Sequence, residues 1–76
     1  MKAILEFNLP EDKSDFNLAI KGSDWWHVCW KMDQLLRGQL KYNDDISEDT
    51  RKAYEDIREE LRQFMFDSNV SFDEVE

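Results

Sequence analysis

DWWHVCWKMDQLLRGQL, residues 24–40, decides how this chain is read. At about 100° per residue, Trp25, Val28, Cys29, Met32, Leu35, Leu36 and Leu40 fall into one broad stripe, the pattern of a helix with one buried side. Ser23 stands where an N-cap is wanted, and Gly22 where a preceding helix would stop. Trp26 and Trp30 lie off the stripe, one turn apart, on a face turned by roughly 100–140° from Trp25. Trp25 is therefore expected in the core. Trp26 and Trp30 have two readings: a second core side covered by a neighbouring element, or a contact surface shared with Arg37. Aromatics and arginine are enriched in binding hot spots, and tryptophan can stack on a base while Arg or Lys meets phosphate.

Outward from this helix, MKAILEFNLP alternates: Met1, Ala3, Leu5, Phe7 and Leu9 share one face and Lys2, Glu6 and Asn8 the other. Period-two patterning predicts a half-buried strand over 1–9, ended by Pro10. A short helix is expected over 10–21, with Phe16, Ala19 and Ile20 as its stripe. Downstream, Asn43, Asp44 and Asp45 form a polar turn and Ser47 caps a helix over 48–67. Its stripe is Ala53, Tyr54, Ile57, Leu61, Phe64 and Met65, while Glu55–Arg58 and Glu59–Arg62 are read as exposed supporting pairs. The tail 68–76 is weakly strand-like at Val70 and Phe72, or frayed. The expected fold is one mainly α (α+β) domain: an N-terminal strand, a short helix and an antiparallel pair of longer helices. A strand needs a partner, and so short a chain has little core. A homo-oligomer is therefore expected, with Leu5, Phe7 and Leu9 at its interface.

Charge and chemistry narrow the function. The chain carries a net charge of −8, distributed unevenly. Lys21, Lys31, Arg37 and Lys41 against Asp24 and Asp33 leave residues 21–42 at +2, the one positive segment. Long nucleic acids are disfavoured by the field of the rest. His27 and Cys29 point to different helix faces, so they cannot share a metal or act as a nucleophile–base pair. An EF-hand loop starting at Asn43 would need Gly and Glu where Glu48 and Tyr54 stand. Neither catalysis nor a cofactor is expected. The lone cysteine fits a reducing cytoplasm, and no apolar run approaches the ~20 residues of a membrane span.

The opening MKAILEFNLPED, then FNLAIKG, DQLLRGQLKY and AYEDIREELRQFM, resemble a family of short proteins of tailed bacteriophages. The resemblance covers nearly the whole chain and brings no active-site motif. It implies a protein of the host cytoplasm that counteracts host defence by stoichiometric binding. Within that class, the residues favour capture of a small phosphate-bearing (nucleotide) signal, with Trp26, Trp30, Lys31, Arg37 and Lys41 as ligand-binding residues. The alternatives are an acidic inhibitor of a host defence or transcription protein, or a minor structural phage protein.

Overall fold

A computed structural model describes residues 1–74. The regular elements are α1 (Lys13–Ile20), α2 (Gly22–Tyr42), α3 (Glu48–Asp67) and one 3-10 turn at Phe72–Glu74. Among the described residues there is no β-strand, so the fold is all-helical and the expected α+β class is corrected. The alternating segment before Pro10 finds no strand to pair with among the described residues, and an unpaired strand cannot satisfy its N–H and C=O groups. It ends in a local turn instead: Asp12 N–H donates to Asn8 O at 2.7 Å, and Asn8 N–H donates to Asp12 Oδ2 at 2.9 Å. Phe7 meets Phe16 of α1 edge-on, with centroids 5.7 Å apart. Leu5 and Leu9 are exposed. In the tail, Phe72 opens the 3-10 turn, while Val75 and Glu76 lie outside the described residues.

Gly22 does not stop α1. It opens α2 with an ordinary negative φ. Lys21 alone separates the two helices: its N–H donates to Asn17 O and its carbonyl accepts from Trp25 N–H. A five-residue polar turn then folds α3 back along α2. Asn43 Oδ1 accepts from Asp45 N–H at 3.0 Å, and Arg51 Nη1 donates to Leu40 O at 2.7 Å. The arginine thus satisfies one of the carbonyls left open at the end of α2. Ser47 caps α3 as expected, its Oγ accepting from Thr50 N–H at 3.1 Å.

The hairpin is thin. Among the described residues Leu36, 6% exposed, is the one buried apolar side chain and Asp33 the one buried polar one. α3 covers the arc of α2 that runs from Leu36 through Cys29, Leu40 and Asp33 to Trp26. The remainder of the apolar stripe is left open, and Trp25, expected in the core, is 58% exposed. On α3, Tyr54, Leu61 and Met65 are half-buried, whereas Ile57 and Phe64 are exposed. Two helices can each bury one sector, and both apolar stripes here are wider than that sector.

α3 closes with a Schellman turn. Val70 N–H donates to Met65 O and Asn69 N–H to Phe66 O, both at 3.0 Å, with Asn69 left-handed at φ 56°. Asparagine tolerates that conformation better than other non-glycine residues do. The turn sends Phe72 back onto α2. Asn69→Gly is expected to leave the melting temperature within a few degrees of the parent, while Asn69→Val costs about 1–2 kcal/mol. Thermal melts followed by circular dichroism check both.

Candidate functional site

The site grows from Asp33. Its carboxylate is fully buried, and α3 supplies both cations that compensate it. Arg58 Nε donates to Oδ1 at 3.0 Å and its Nη2 to Oδ2 at 3.4 Å. Arg62 Nη2 donates to Oδ2 at 3.0 Å. Burial pushes the carboxyl pKa up, but the Arg58 hydrogen bonds and the charges of Arg62 and Arg58 outweigh it. The group is held below the ordinary carboxylate value.

The tryptophans continue from this clamp. Trp26 and Trp30 are stacked, centroids 6.1 Å apart and planes 9° apart. Phe72 stands edge-on to Trp26 at 5.9 Å and 87°. Arg62 lies over the Phe72 ring at 5.0 Å, at cation–π distance. One cluster thus runs Trp30, Trp26, Phe72, Arg62, Asp33, Arg58 across α2, α3 and the 3-10 turn. Trp26 is half-buried in it, and its Nε1 has no hydrogen-bond partner among the described residues. Trp30 is 40% exposed at the edge, with one ring face supported by Trp26.

The sequence-predicted set separates. At about 100° per residue, Trp26, Trp30, Arg37 and Lys41 occupy one side of α2 within roughly 60° of each other, whereas Lys31 points away from α3. Arg37 is exposed and forms no ion pair among the described residues. Lys41 Nζ lies 5.4 Å from the Tyr42 ring centroid. On the same side, Arg58 and Arg62 with Leu40, Glu55 and Glu59 line an open groove of about 390 Å³. The structure therefore adds Arg58, Arg62 and Phe72, which sequence reasoning left on a solvated face or in the tail. The signal for the arginines was Asp33 itself, an acid set between Cys29, Leu36 and Leu40 on the covered arc.

His27 and Cys29 serve no common centre. His27 Nδ1 is 2.8 Å from Ser23 O, one turn back, and Cys29 is a half-buried free thiol. No group of three or more metal-ligating side chains occurs among the described residues, and no helix there is long and apolar enough to cross a membrane. Comparison with family models, with curated proteins and with solved structures gives no match in any of the three.

Proposed function

We propose that the chain is a non-catalytic phage protein that counteracts host defence in the host cytoplasm by capturing a small phosphate-bearing ligand of the nucleotide type. The observation that supports this most directly is the Trp26–Trp30 stack. Trp30 is held flat by a second indole, part of its surface open, with exposed Arg37 on the same side of α2. A prefixed ring is a stacking platform for a base, and an arginine fork suits phosphate. Arg58 and Arg62 are committed to Asp33, so they shape the groove and leave Arg37 and Lys41 as the main counter-charges.

Trp30→Ala is expected to weaken nucleotide binding tenfold or more, since base–aromatic stacking is worth roughly 1–3 kcal/mol per base. Calorimetric titration of cyclic and linear nucleotides against parent and variant reads this, with circular dichroism as the folding control. If no nucleotide gives heat with the parent, the proposal fails, and the acidic outer face of α3 becomes the surface to test against host proteins.

A further inference from the structure

The side of the hairpin opposite the tryptophan stack is apolar and uncovered. Trp25, Val28, Met32 and Leu35 of α2 and Ile57 and Phe64 of α3 are each between 52% and 64% exposed. Met32 and Leu36 face Ile57, Leu61 and Phe64 across a cavity of about 380 Å³, edged by Asp56 and Glu60. We propose that a second copy of this chain covers this face, pairing two hairpins into a four-helix bundle.

Size carries the first argument. The chain exposes 6794 Å², whereas a folded monomer of 9.2 kDa exposes about 4,900 Å². The surplus is therefore roughly 1,900 Å², of which the extended residues before Pro10 account for a part. Obligate dimers bury about 1,000–2,500 Å² per partner, which brackets it. Shape agrees: the radius of gyration is 17.0 Å, against about 11 Å for a compact domain of this length. One buried apolar side chain is too little to hold a helical hairpin, and a partner face of the same composition supplies the missing core.

Charge selects the occupant. The outer rim of the face on α2 carries Lys31, and the outer rim on α3 carries Asp56 and Glu60. Asp56 already pairs with Lys52 at 3.2 Å, which leaves Glu60 as the open acid. A two-fold axis parallel to the hairpin lays α2 of one copy over α3 of the other. Lys31 of each copy then stands beside Glu60 of its neighbour, twice over. The face is complementary to itself in both area and sign, so the proposal needs no other protein.

The test is sedimentation equilibrium of the full chain across the micromolar range. The parent is expected to sediment as a multiple of its chain mass. Phe64→Glu, which sets a charge in the buried seam, is expected to abolish association. Because that variant can also unfold, the rim provides the second readout. Lys31→Glu is expected to weaken self-association about three- to tenfold, as loss of two surface ion pairs predicts. Adding Glu60→Lys should restore it, with helicity by circular dichroism unchanged throughout. A parent that stays monomeric and cooperatively folded overturns the proposal. So does an assembly whose affinity ignores the charge swap. Trp30 and Arg37 lie on the other side of the hairpin, so the nucleotide titration succeeds or fails independently.

Discussion

Asp33→Asn is expected to destabilise the chain by about 3 kcal/mol, because removing the buried carboxylate leaves the Arg58 and Arg62 guanidiniums without their counter-charge. Arg62 is half in water and relieves part of the loss, which keeps the figure at the low end of the usual range. A domain this small has roughly 3–5 kcal/mol of net stability, so the variant is expected to be largely unfolded at 37 °C. Acid should act on the same link. With its folded pKa below the unfolded value, Asp33 binds fewer protons in the native state, and stability rises with pH through that interval. Its contribution is complete above about pH 4 and is lost as pH falls through the depressed pKa. Urea titrations of parent and Asp33→Asn between acid and neutral pH check both statements. The parent should lose stability on that limb and the variant much less.

Trp26→Ala is expected to cost about 2–4 kcal/mol, the range for a large-to-small aromatic change reduced for partial exposure. The ring touches Trp30 on one side and Phe72 on another, so its loss also frees the C-terminal turn. Phe72→Ala should reproduce part of that effect and expose Arg62 further. A double-mutant cycle between the two positions is expected to show coupling, since they are in contact. Trp30→Ala should stay close to the parent in stability. That contrast between neighbouring tryptophans, one structural and one available, is read by thermal melts of the three variants.

Much of the hairpin is legible in the sequence. Ser47 as a cap, the polar turn after Tyr42 and the amphipathic course of α2 and α3 follow from local rules that the fold obeys. What periodicity could not say is which part of a wide apolar arc is covered. The stripe from Leu35 through Trp25 to Trp26 spans about half the circumference of α2 at about 100° per residue. Its covered sector is set by where Arg58 and Arg62 can reach Asp33, a match between residues 25 and 29 positions apart. Trp25 and Trp26 accordingly exchange the roles that local reasoning assigns them. The N-terminal strand failed for a related reason. Alternation describes a surface that could pair, and pairing depends on a partner that the described residues do not contain.

Native mass spectrometry of the protein purified from the cell tests the central claim most directly, because it reports assembly and bound ligand in one spectrum. The account predicts a multiple of the 9.2 kDa chain carrying an additional small mass that fragments to a phosphate-containing species and disappears in Trp30→Ala. A spectrum of bare chains, unchanged after nucleotide is added in excess, would contradict it.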